Sequence, residues 1–135
     1  MFRFSNYDMF PAWFKEGMAM RSSNEFSLPH KVEISKAIWG NQIIPLEQLK
    51  NISSYTQDKV KLAYGESAAA VEALEFFYGQ SVLKKILNHI NNESDFKDAF
   101  YKASLEEFGD FQIKYNAYLA SHFKWIFLLK SPKYI

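Results

Sequence analysis

One carboxylate in this sequence stands in an unusual setting. In Pro11-Ala12-Trp13-Phe14-Lys15-Glu16-Gly17-Met18-Ala19, Glu16 follows a pair of bulky aromatic residues. On a helix Trp13 and Glu16 fall near one face, because residues three apart are neighbours there. A carboxylate held against apolar side chains is costly unless its charge is compensated. A bound metal ion, a Lys or Arg partner, or exposure to water would each do so, and water or an ion pair is the ordinary fate of a glutamate. Gly17 costs about 1 kcal/mol relative to alanine inside a helix, so it predicts close approach of another backbone or of a ligand. The second segment is Leu62-Ala63-Tyr64-Gly65-Glu66-Ser67-Ala68-Ala69-Ala70-Val71. Tyr64 precedes a glycine and a run of small residues, again a place where something is expected to come close. Its plain reading is a core tyrosine on the helical stripe Val60, Tyr64, Ser67, Val71, Leu74 and Tyr78.

Other chemistries find little support. The absence of cysteine excludes disulfides, thiolate metal sites and a cysteine nucleophile. The histidines His30, His89 and His122 are far apart, and none has a His-x-x-x-His or His-x-His partner. His122 lies on an apolar stripe and is expected at the core edge; His30 and His89 read as surface residues. The glycines are isolated, so there is no phosphate-cradling loop, and there is no Gly-x-Ser-x-Gly elbow. Asn51-Ile52-Ser53 and Asn92-Glu93-Ser94 match the glycosylation acceptor pattern, which matters only on a secretory route.

The elements that must position Glu16 and Tyr64 are helical. Apolar residues make up 48% and aromatics 18% of the 135 residues, which predicts a large core, while Gly and Pro total only nine. Pro11 suits a first helical turn, and Ala12 to Arg21 carries Trp13, Phe14 and Met18 at helical spacing. A second helix is expected from Pro29 to Trp39 with Gly40 as its stop, then a short turn from Pro45 through Leu49. A long helix from about Thr56 to Tyr78 ends at Gly79. Ser81 is expected to cap the next helix, Ser94 a short one, and Ser104 with Glu107 forms a capping box for the last. That last helix has the stripe Phe108, Phe111, Tyr115, Leu119, His122, Ile126 and Leu129. Only Asn24 to Leu28 offers a short strand. The expected class is all-α, one domain over residues 1–135.

Sixteen Lys and Arg against fifteen Asp and Glu leave a net charge of +1. So even a balance argues against a nucleic-acid partner. No run approaches the roughly 18 apolar residues of a membrane span, and Met1-Phe2-Arg3-Phe4-Ser5-Asn6 lacks the apolar stretch of a signal peptide.

Taken together, the two segments resemble the gluzincin metallopeptidases, specifically the bacterial peptidase-MA-like domains, from about Pro11 to about Leu119. In that family a His-Glu-x-x-His helix supplies two zinc ligands and the general base. A following helix of the type Pro-x-Trp-x-x-Glu-Gly-x-Ala supplies the third ligand, and Pro11, Trp13, Glu16, Gly17 and Ala19 stand at its positions. The resemblance therefore implies that Glu16 is a zinc ligand, in a site whose fourth position is left to water. Ile43-Ile44-Pro45-Leu46 and Tyr64-Gly65-Glu66-Ser67 resemble the family's Ile-Pro-Leu segment and tyrosine-led helix. By the same resemblance Tyr64 stabilises the tetrahedral oxyanion. Phe77-Tyr78-Gly79, Leu83 to Leu87, Phe96 to Ala99 and Ser104 to Phe108 extend the likeness.

The sequence departs from the family in two places. No His-Glu-x-x-His occurs in the 135 residues, and Arg21 stands where the family helix usually has a tyrosine. The resemblance then implies that the chain is the C-terminal part of a larger domain. It implies a zinc cofactor not held by this chain alone, a peptide or protein substrate for the complete enzyme, and no activity in isolation. The alternative is a non-catalytic helical interaction or structural protein that keeps the scaffold. Apolar surface left uncovered would then favour self-association, with Phe2, Phe4, Phe10, Trp13 and Phe14 as its expected residues. The aromatic and basic stretch from Trp125 to Tyr134 is either a membrane-proximal segment or the frayed end of the last helix.

Overall fold

Proline and glycine set the helix boundaries where the sequence places them. The computed structural model describes residues 10–91 and 95–130. Among these residues the fold is all-α, with six helices: α1 (Ala12–Ser22), α2 (Leu28–Trp39), α3 (Gln57–Tyr78), α4 (Val82–Asn91), α5 (Phe96–Ser104) and α6 (Phe108–Phe123). Short 3-10 turns lie at Leu46–Gln48, Ile52–Ser54 and Ile126–Lys130. Gly40 and Gly79 follow α2 and α3 directly. The expected strand does not form: Asn24 turns the chain at φ 59°, and α2 begins at Leu28.

α3 is the central helix. From Leu62 to Leu74 it is buried on almost every side, as a helix surrounded by others must be. Its small side chains let α1 and α2 approach closely, and the α1–α3 pair is the most extensive in the fold. The buried Ser67 hydroxyl donates to the Ala63 carbonyl at 2.8 Å.

Between α1, α5 and α6 lies an aromatic core. Trp13 stacks against Phe108 and Phe111, with ring centroids 6.1 and 6.4 Å apart, and meets Phe96 edge-on at 5.6 Å. Such offset and edge contacts add to plain area burial. Phe10, Trp13 and Phe14 are therefore interior residues, at most 4% exposed, and do not form the open apolar face expected of them. Phe2 and Phe4 lie outside the described residues.

Two caps differ from expectation. Ser94 lies outside the described residues, as does the Asn92-Glu93-Ser94 sequon. Asp95 caps α5, its carboxylate accepting the Asp98 N–H at 2.8 Å. The Ser104–Glu107 capping box does not form. Burial of Phe96, Ala99 and Phe100 carries α5 through to Ser104, whose hydroxyl donates back to the Phe100 carbonyl at 2.8 Å. The helix then ends at Leu105, φ 64°, and α6 starts after Glu107. Asp95→Ala should lower unfolding stability by about 1 kcal/mol, the usual worth of such a cap; urea denaturation will show it, and an unchanged midpoint would refute the capping role.

On α6, Phe108, Phe111, Tyr115 and Leu119 face inward as expected, joined by Tyr118 and Phe123. His122 is exposed instead of at the core edge, and its ring stacks on Tyr118 with centroids 3.9 Å apart. The chain beyond α6 docks on α2 through the end of the described residues. Ser35 and the Trp39 indole both donate to the Lys124 carbonyl, at 2.8 and 2.7 Å, and the Phe127 N–H donates to Ser35 Oγ at 3.0 Å. Among the described residues no helix is long and apolar enough to cross a membrane.

Candidate functional site

The α1 motif divides its work by helical face. Trp13 points into the aromatic core. Gly17 faces α3 so closely that a Cβ there would stand 2.3 Å from the Ser67 carbonyl oxygen. The neighbour predicted at Gly17 is thus another backbone. These two buried anchors fix the roll of α1 and leave Glu16, one position round the helix, half-buried at its edge. On α3 the neighbour predicted beside Tyr64 is α2: a Cβ at Gly65 would stand 3.2 Å from both the Cβ and the carbonyl oxygen of His30.

The consequence is a cleft of about 480 Å³ lined by Glu16, Ala19, Met20, Asn24, Glu25, Ser27, His30 and Tyr64. Glu16 and Tyr64, far apart in sequence, are brought to one cavity. Within the described residues neither the Glu16 carboxylate nor the Tyr64 phenol makes a hydrogen bond or ion pair. This distinguishes Tyr64 from the other tyrosines that are at least half-buried. Tyr55 donates to the Gln48 carbonyl, Tyr78 to Glu106, Tyr115 to Glu66 and Tyr118 to Glu72.

Arg21, the cation where the family has a tyrosine, does not line this cleft. It pairs across the α1–α3 contact with Glu72, at 3.4 Å, and with Glu75. Its charge is therefore directed toward the C-terminal half of α3.

His30, read as a surface residue, is half-buried in the cleft wall. Its Nδ1 accepts the Ser27 N–H at 3.3 Å and lies 3.0 Å from Ser27 Oγ. Burial lowers its pKa below the ordinary value, Lys61 lowers it further, and Glu25 opposes them. The second buried group that sequence reasoning missed is Glu66, fully enclosed on α3. Its Oε2 accepts the Ile44 N–H at 2.8 Å, and Oε1 lies 3.0 Å from the Tyr115 hydroxyl. Burial pushes its pKa up from 4.5 to about 8, against those two hydrogen bonds. The Ile44 bond ties the Ile43 to Leu46 segment to the tyrosine-led helix. A charged residue between Gly65 and the small residues Ser67 to Ala70 was the available signal for it.

The family model of the peptidase MA superfamily matches residues 1–121. The chain belongs to the peptidase MA superfamily. Neither a curated protein nor a solved structure gives a match. Zinc is the cofactor that membership implies, and the described residues do not fit it by themselves. No group of three His, Cys, Asp or Glu among them is placed to hold a metal ion. In the cleft, His30 Nδ1 is engaged by Ser27, and Glu25 accepts a hydrogen bond from Ser23. Glu16 leaves a single open carboxylate among the described residues of the cleft.

Proposed function

We propose that this chain is the part of a gluzincin zinc peptidase that contributes the third metal ligand, Glu16, and an oxyanion-binding phenol, Tyr64. The two histidine ligands and the general base then come from a His-Glu-x-x-His segment outside these residues, and the chain alone does not hydrolyse peptides. The observation that supports this is the convergence on one cleft, from α1 and α3, of a carboxylate and a phenol that have no partner among the described residues. A half-buried phenol with no acceptor among the described residues is suited to donate to charge that develops on a substrate oxygen.

The test is zinc content and peptide hydrolysis of the native full-length gene product. Glu16→Gln is expected to strip zinc and abolish cleavage. Tyr64→Phe is expected to keep zinc and lower kcat by about 100- to 1000-fold, the usual cost of one oxyanion donor. Zinc binding and cleavage indifferent to Glu16→Gln would refute the role of Glu16, and a full-length product with neither bound zinc nor cleavage would sink the reading in favour of a non-catalytic helical interaction protein.

A further inference from the structure

Among the described residues the Glu16–Tyr64 cleft holds a third polar atom without a partner, Nε2 of His30. An imidazole nitrogen that accepts a hydrogen bond carries no proton, so the neutral His30 ring keeps its proton on Nε2. Nδ1 is the acceptor here, from the Ser27 N–H at 3.3 Å, and the Ser27 hydroxyl 3.0 Å away donates to it in the same tautomer. Nε2 engages none of the described residues. Among those residues no buried side-chain nitrogen or oxygen lacks a partner, so the open Nε2 must be reachable by solvent. The ring's position is also constrained from behind, because α2 crosses α3 with His30 Cβ against Gly65.

We propose that His30 is a second hydrogen-bond donor of this cleft, presenting Nε2–H to a backbone carbonyl oxygen of a bound peptide. The proposal rests on the reading of the cleft as a peptide site. The choice of a neutral oxygen follows from the lining. Glu25 lines the same cavity, and its negative charge disfavours a carboxylate or phosphate ligand. The tautomer also separates His30 from a metal role. Ligation through Nε2 would require that atom to lose its proton and Nδ1 to gain one, which breaks the bond from the Ser27 N–H. His30 is therefore organised to donate.

The test is nitrogen-15 NMR of the full chain, with N-acetyl-alanyl-alanine N-methylamide as an uncharged peptide probe. The expected result is the Nε2–H tautomer of His30, and movement of its Nε2 resonance as the probe is added. His30→Phe keeps a ring and should weaken probe binding about 5- to 10-fold, the worth of one hydrogen bond. His30→Gln restores an N–H donor and should recover most of that loss. The tautomer is read on the unsubstituted chain, so it stands even if a variant fails to fold. An Nδ1–H tautomer, a still Nε2 resonance, or equal affinity in His30→Phe would each overturn the proposal. Failure of the peptidase reading shows elsewhere, in zinc content that ignores Glu16→Gln while His30 still governs probe binding.

Discussion

Gly17→Ala is expected to destabilise the fold by about 2–4 kcal/mol, although alanine is the better helix former. Intrinsic propensity alone would favour alanine by about 1 kcal/mol. The new Cβ would stand 2.3 Å from the Ser67 carbonyl oxygen, 2.6 Å from Val71 Cγ2 and 2.9 Å from the Ser67 carbonyl carbon. Two of these atoms are backbone of α3, and that helix is buried on all sides at this level. It cannot retreat without opening the contacts with α2 and α6, so α1 must move outward and lift Trp13 from its aromatic neighbours. Overpacking of a filled core costs on this scale. Gly109→Ala supplies the control, because nothing lies within 4 Å of a Cβ there, and it should be neutral or slightly stabilising. Urea denaturation of the two variants beside the parent decides the matter. A Gly17→Ala chain as stable as the parent would mean that the α1–α3 contact is looser than described.

Glu66→Gln is expected to flatten part of the pH dependence of stability. The Glu66 pKa is raised in the fold from 4.5 to about 8 by burial, so the folded state prefers the neutral acid. The surroundings offer the acid side chain few donors: Oε2 accepts the Ile44 N–H, and Oε1 lies 3.0 Å from the Tyr115 hydroxyl. The same hydroxyl also faces the Glu66 backbone carbonyl at 3.2 Å, so its one proton is shared between two acceptors. A group with a raised folded pKa contributes stability that is complete below its unfolded pKa and declines as pH rises toward the folded one. This contribution is therefore full below pH 4.5 and lost by about pH 8, a fall on the order of 3–5 kcal/mol. Glutamine reproduces the neutral pattern and cannot ionise. The parent and Glu66→Gln should melt at similar temperatures near pH 5, and the variant should melt higher near pH 8. Other titrations are common to both chains, so the difference between their melting curves isolates Glu66. Parallel curves from pH 5 to pH 9 would show that Glu66 is not held neutral by the fold.

The sequence by itself determined the helices and most of their ends. Pro11, Gly40 and Gly79 act within a turn of where they stand, and the α3 stripe repeats at helical spacing, so local physics is enough to read them. It also determined that Gly17 and Gly65 must meet close neighbours, because a glycine inside a helix is unfavourable without one. What local pattern could not determine is which neighbour. Serine followed three residues later by glutamate reads as a cap at Ser104, yet burial of Phe96 and Phe100 carries α5 through it. Trp13 and Phe14 read either as a helical apolar stripe or, in the interaction-protein alternative, as an open face, and aromatic rings of α5 and α6 cover them. His30 reads as a surface residue, and its place in the cleft exists only because α2 crosses α3 at Gly65. Glu66 sits in plain view among alanines, but its raised pKa depends on Ile44 and Tyr115 arriving from two other elements. Helix limits depend on interactions a few residues long, and these are written in the chain. Cleft geometry and buried ionisation depend on contacts between distant segments, and those are decided only when the helices pack.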